Sequence, residues 1–157
     1  MAKGTPATVA LEAAGVAFTL HEYAYDPGAD RVGLQAAEAL GAEPGAVFKT
    51  LMTRVDGKPA CVILASDREV AMKKLAAALG GKSAEMMAPA EAERMTGYKV
   101  GGISPFGQRR AVPVVLDEGA MALPEIYLNG GRRGLQVRLA PGEAARLLGA
   151  RVAAVTA

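Results

Sequence analysis

Three short segments carry groups that could do chemistry. Lys49 stands inside an apolar run between Phe48 and Thr50, where a strand would ordinarily carry Val or Thr. It either sits on a solvated strand face or lines a concavity where its three donors meet a phosphate or a polarised carbonyl. The stretch Gly101-Gly102-Ile103-Ser104-Pro105-Phe106-Gly107 is either a tight connection or a cradle whose backbone N–H groups point at an oxyanion. Asn129-Gly130-Gly131-Arg132-Arg133-Gly134 must turn, and its arginine pair is either solvated or set against the phosphates of a polyanion.

What the chain lacks narrows the chemistry. One histidine, His21, and one cysteine, Cys61, cannot supply the His/Cys ligand set of a zinc enzyme. A Ser-His-Asp triad would have to use His21, yet there is no Gly-x-Ser-x-Gly elbow. The glycine-rich stretch lacks the Gly-Lys-Ser/Thr ending of a phosphate-binding Walker loop. No metal site and no cofactor are therefore expected. Cys61 lies in Ala60-Cys61-Val62-Ile63-Leu64 and reads as a small core residue. A lone cysteine cannot form an intramolecular disulfide, which points to the cytoplasm. No run approaches the ~20 apolar residues of a membrane span, so no membrane partner is expected. Near the amino terminus Glu12 interrupts what would be the apolar region of a signal peptide.

The elements that must position these groups follow from periodicity and breakers. Thr5-Pro6 starts a helix over about 6–14, stopped by Gly15. Val16, Phe18 and Leu20 alternate with polar or small residues as a half-buried strand does. A loop at 25–30 precedes a helix over about 32–40. Runs at 47–55 and 60–65 flank Asp56-Gly57, a strong hairpin signal. A helix starting between Asp67 and Met72 ends at Gly80-Gly81, and Pro89 opens another that closes near Gly97. Strands are expected at 112–116, 125–128 and 135–139, a helix from Pro141 to about Leu148, and an edge strand at 152–155. Strands and helices are mixed without strict βαβ alternation, so the expectation is an α+β fold, one domain over 1–157.

Composition agrees with a packed domain. The 157 residues are 51% hydrophobic, and 18 Lys+Arg against 16 Asp+Glu leave +2. That is too apolar for intrinsic disorder. Seven aromatics and no Trp discourage a single-strand binder built on stacking. The charge is uneven: residues 1–48 hold 2 basic and 6 acidic residues, and residues 49–157 hold 16 and 10. A local basic mouth therefore survives the near-neutral total.

Phe48-Lys49-Thr50-Leu51, the run from Thr96 to Gln108 through Gly101-Gly102, and the run from Ile126 to Leu135 through Asn129-Gly130-Gly131 together resemble the YbaK/EbsC family of aminoacyl-tRNA deacylases. These are relatives of the editing domain of bacterial prolyl-tRNA synthetases, and the resemblance spans nearly the whole chain. It implies a mixed, partly barrel-like β-sheet surrounded by helices. It implies a trans-editing enzyme that takes the acceptor end of aminoacyl-tRNA, most closely the branch acting on Cys-tRNA(Pro), and admits prolyl-tRNA synthetase as a partner. Lys49 aligns with the family's essential lysine. The implied substrate-binding residues are Tyr23, Thr50, Gly101, Gly102, Ile103, Ser104, Asn129, Gly130 and Gly131, with Arg132 and Arg133 toward tRNA phosphates. In the Cys-specific branch the substrate's thiolate attacks its own ester, so the protein need only orient it and stabilise an oxyanion. One member of the family carries Ser at the position of Asn129 and Asp at that of Gln136. Three other readings stay open: removal of Ala or another small amino acid by a positioned water, a non-catalytic module that binds tRNA or a synthetase, and a binder of a small phosphate-bearing molecule such as a mononucleotide.

Overall fold

Thr5 caps the first helix as its place before Pro6 predicts. Its backbone N–H donates to Thr8 Oγ1 at 2.8 Å and its own Oγ1 accepts from Thr8 N, so two otherwise unpaired donors are satisfied at once. The computed structural model describes residues 4–25 and 32–157, and the loop read at 25–30 lies, beyond its first residue, outside them. The described elements are α1 (Pro6–Ala13), β1 (Thr19–Glu22), α2 (Val32–Leu40), β2 (Phe48–Val55), β3 (Lys58–Ala65), α3 (Met72–Ala78), β4 (Ala84–Met86), α4 (Pro89–Thr96), β5 (Val114–Asp117), β6 (Ile126–Asn129), β7 (Leu135–Leu139), α5 (Pro141–Leu148) and β8 (Arg151–Ala153). None of the helices among them is long and apolar enough to cross a membrane.

The strands divide between two sheets, in the orders β1-β7-β6 and β4-β2-β3-β5-β8. The first is antiparallel throughout, and the second is mixed, with β3-β5 and β5-β8 parallel. The fold is thus α+β as expected; the sheets touch through a parallel bridge between Val47 and Tyr127, and the described strands form no closed barrel. The β2-β3 hairpin turns on Asp56 and Gly57, both at positive φ (50° and 79°). Two successive left-handed residues make the tight turn that matches strand twist, and Asp-Gly tolerates it best.

β3 explains where the core lies. Cys61 and Ile63 face a cluster shared with Phe106, Ile126, Leu128, Val137 and Leu139, between the two sheets. Ala60, Val62 and Leu64 face a second cluster under α3 with Leu75 and Ala76. A strand buried on both faces reads as a continuous apolar run.

Three expectations shift. β1 begins at Thr19, not Val16, and Leu20 is half exposed. The pairing of Thr19–Glu22 with Leu135–Arg138 sets that register, at the edge of a three-stranded sheet, and leaves Val16 to pack as a buried connector. β5 runs on to Asp117, whose carboxylate accepts from Gly119 N and Val155 N and so joins β5 to the chain's last strand region. β4 has no counterpart among the expected strands, because three residues are too few to show a period.

Candidate functional site

The site lies where β2 changes neighbours. On the edge away from β3, the start of β2 is bridged to β6 through Val47 and Tyr127, and its end pairs with β4 through Thr53–Val55. Between them the Met52 carbonyl accepts from Met87 N at 3.1 Å, and no strand among the described residues pairs with residues 49–51 on that side. Antiparallel residues alternate in the direction of both backbone groups, so Thr50, of Met52's parity, aims its N–H and C=O into the gap. A cavity of about 310 Å³ opens there.

The cavity gathers the sequence-derived candidates unevenly. Lys49, Thr50, Gly101, Ile103 and Asn129 line it. Lys49 and Thr50 point to opposite faces of β2, registered against Leu64 and Ile63, and both reach the gap because it lies at the strand's edge. Ser104 does not line it: the residue is fully buried and its hydroxyl accepts from Phe106 N. Gly102, Gly130 and Gly131 do not line it either. A Cβ on Gly102 would lie 2.8 Å from Arg133 N and 2.9 Å from the Arg132 carbonyl carbon, so only glycine lets the two turns touch. Arg132 pairs with Glu22 at 3.2 Å. Arg133 donates from Nε to the Val100 carbonyl at 2.9 Å and lies 5.4 Å from the Tyr25 ring centre.

The glycine turn is held from both ends. The Tyr98 hydroxyl donates to the Phe106 carbonyl, and burial pushes its phenol up to about 12, so it stays a donor. Gly102 N donates to Lys99 O at 2.8 Å, whereas the Gly101 N–H has no acceptor among the described residues. That amide belongs to a residue that lines the cavity.

Polar atoms without partners mark the cavity's other side. Thr50 Oγ1 and Gln136 Oε1 are buried and form no hydrogen bond with any described residue, and both residues line the cavity. The Tyr23 hydroxyl, from a residue outside the cavity lining, is also buried without a hydrogen bond to any described residue. Burial raises its pKa, with Gln136 and the Gly134 backbone close enough to pull it partway back, which places it beside Gln136. Buried polar atoms left unpaired are costly, and the two on the cavity lining, Thr50 Oγ1 and Gln136 Oε1, fit a ligand or water that pairs them.

Sequence reasoning reached Gln136 only through the family resemblance and missed the apolar wall of Met52, Met86, Met87 and Val100. Gln136 holds the polar position of the alternation Leu135-Gln136-Val137, yet it is only 3% exposed. The described lining contains no carboxylate, imidazole or thiol. Cys61 lies within the core, and burial raises its thiol to about 12. His21 is bonded to Thr19 Oγ1 through Nε2 at 2.8 Å and packs edge-on to Tyr127.

Comparison with known proteins gives these geometries a context. The family profile described as "Aminoacyl-tRNA editing domain" matches residues 26–147. An Enterococcus faecalis protein named "Putative Cys-tRNA(Pro)/Cys-tRNA(Cys) deacylase EbsC" is 37% identical over 138 residues, 86% of this chain and 84% of that one. The proline–tRNA ligase of Acidithiobacillus ferrooxidans is 32% identical over 93 residues, 59% of this chain but 16% of the ligase. A solved structure described as "a putative trans-editing enzyme for prolyl tRNA synthetase" superposes with a TM-score of 0.85 at 28% identity, covering 97% of this chain and 95% of that one.

Proposed function

The chain belongs to the aminoacyl-tRNA editing domain family, and from that premise we propose that it removes cysteine from mischarged Cys-tRNA(Pro), and from Cys-tRNA(Cys), with the substrate's own thiolate as nucleophile. Its activity class is aminoacyl-tRNA deacylase. The observation that carries the finer reading is the described cavity lining, which pairs Lys49 and the Gly101 amide with no carboxylate, imidazole or thiol. Such a site can orient an ester and stabilise charge, but it supplies no strong base or nucleophile.

In this reading the aminoacyl ester enters the gap in β2. The thiolate sulfur attacks the ester carbonyl, and negative charge develops on the carbonyl oxygen between the Lys49 ammonium and the Gly101 N–H. The carbon–oxygen bond to the ribose then breaks. The ribose oxygen leaves and takes a proton, and the amino acid departs as its thiolactone, which water opens. Asn129 holds the two glycine turns in register, and Arg133, beside Gly101, faces a phosphate of the acceptor end. Prolyl-tRNA synthetase is the protein partner we propose, on the strength of the similarity to a segment of a proline–tRNA ligase.

The test is a panel of tRNA(Pro) charged with Cys, S-methyl-Cys, Ser or Ala. Fast loss of Cys alone supports thiol attack, because a hydroxyl is a poor nucleophile at neutral pH. The unpaired Thr50 Oγ1 and Gln136 Oε1 favour one second reading, a water positioned to deacylate Ala or another small amino acid. Equal rates on Cys, Ser and Ala would select it. Retention of all four esters at the rate of buffer would refute both.

A further inference from the structure

We propose that Met86 and Val100 form the two sides of a recess for the terminal adenine base of the substrate, a role that rests on the deacylase reading above. The amino acid of an aminoacyl-tRNA is esterified to the ribose of its last adenosine. An ester held in the cavity beside Lys49 therefore leaves that nucleoside at the mouth.

The mouth is built for an apolar face. Six large apolar side chains are exposed among the described residues. Val9, Leu20, Met121 and Val152 lie off the cavity, whereas Met86 (49% exposed) and Val100 (42% exposed) line it. Exposed apolar residues placed singly need no account. Two brought to one cavity from separate elements do.

Both are held in place by backbone contacts. Met86 ends β4, registered opposite Thr53, beside the Met87 N–H bond to Met52 O. Val100 belongs to no strand or helix, yet its N–H donates to Glu93 Oε2 and its carbonyl accepts from Arg133 Nε, each at 2.9 Å. Side chains from two other segments thus fix a valine that faces water.

A purine suits such a recess. Its faces are flat and apolar, and a thioether packs well against a π system. The lining's one aromatic, Phe48, is only 4% exposed and sits too deep to stack on a base at the rim. Contact by dispersion alone reads no base edge. None needs reading where every substrate ends in the same nucleotide.

The experiment compares two aminoacylated acceptor hairpins, one ending in adenosine and one ending in an abasic ribose. The wild-type protein should prefer the adenosine end by about tenfold or more in kcat/KM, mostly through KM, as burial of two partly exposed apolar side chains allows. Met86→Ala with Val100→Ala should bring that preference close to one, and Met86→Leu should retain it. A wild-type preference near one, or a preference that survives the double substitution, overturns the recess and leaves the deacylase reading standing. A wild-type protein inert on the adenosine hairpin and on full-length aminoacyl-tRNA overturns both.

Discussion

The Asn129 side-chain amide donates to the Gly101 carbonyl at 3.2 Å while its Oδ1 accepts from the Gly131 N–H at 2.7 Å. One planar group thus ties the two glycine turns behind the cavity, and it does so at 8% exposure. Asn129→Asp keeps the acceptor, loses the donor and sets carboxylate charge against the Gly101 carbonyl. It should lower unfolding free energy by about 1–3 kcal/mol in denaturant titration and depress kcat/KM for deacylation. A variant with an unchanged unfolding midpoint and rate would show that the brace is dispensable.

Lys49 supplies the one cation on the described cavity lining. Lys49→Ala should reduce the single-turnover rate of ester loss by about 10²–10³, the usual consequence of removing one preorganised charge or donor from a developing oxyanion. Its circular dichroism and thermal midpoint should stay near wild type, because the residue is only half buried at a strand edge. Lys49→Arg should recover little, since a planar fork does not replace a compact ammonium. Wild-type turnover in the alanine variant would remove Lys49 from the mechanism.

Asp56 gives a prediction with a definite pH dependence. The backbone N–H groups of Ser83 and Lys82 hold its carboxyl below the ordinary value of 3.8. A carboxylate depressed in the folded state stabilises above its unfolded pKa, and the contribution is lost as pH falls through the folded value. Wild type should therefore melt above Asp56→Asn at pH 6, with the gap closing as the pH drops below 3.8. A gap that stays constant across that range would show that charge on Asp56 is irrelevant to it.

Cys61 should be chemically silent in the native protein. With its thiol pushed up to about 12 by burial, almost no thiolate exists at pH 8, and a disulfide reagent has no path to it. Labelling with such a reagent should appear only across the unfolding transition. Rapid stoichiometric labelling without denaturant would contradict the packing of β3.

The helices were legible because their ends carry their own chemistry. Pro89 and Pro141 each open a helix, and Gly97 and Gly149 each close one in the left-handed conformation. The Asp56-Gly57 hairpin was equally plain. Lys49 and the glycine turns stood out because their residue types conflict with an ordinary strand or loop, and the structure sets Lys49, Gly101 and Asn129 on one cavity. Gln136 stood out only through the family resemblance, since alternation reports which side of a strand a residue is on but not what covers that side. Met86 and Val100 were illegible for a related reason: an exposed apolar residue has no local signature, and its meaning comes from a neighbour distant in sequence. The separation into two sheets was hidden too, because it depends on which strands pair across long intervals.

That separation has a kinetic consequence. The β2-β3 hairpin closes over two residues and β6-β7 over a short turn, whereas the bridge that joins their sheets links Val47 to Tyr127, 80 residues apart. Closing so long a loop costs chain entropy that local contacts do not repay until both partners are formed. The seam should therefore assemble after the β2-β3 and β6-β7 hairpins and open before them. Because the cavity exists only along that seam, a chain losing stability would shed its activity while both hairpins still resist hydrogen exchange.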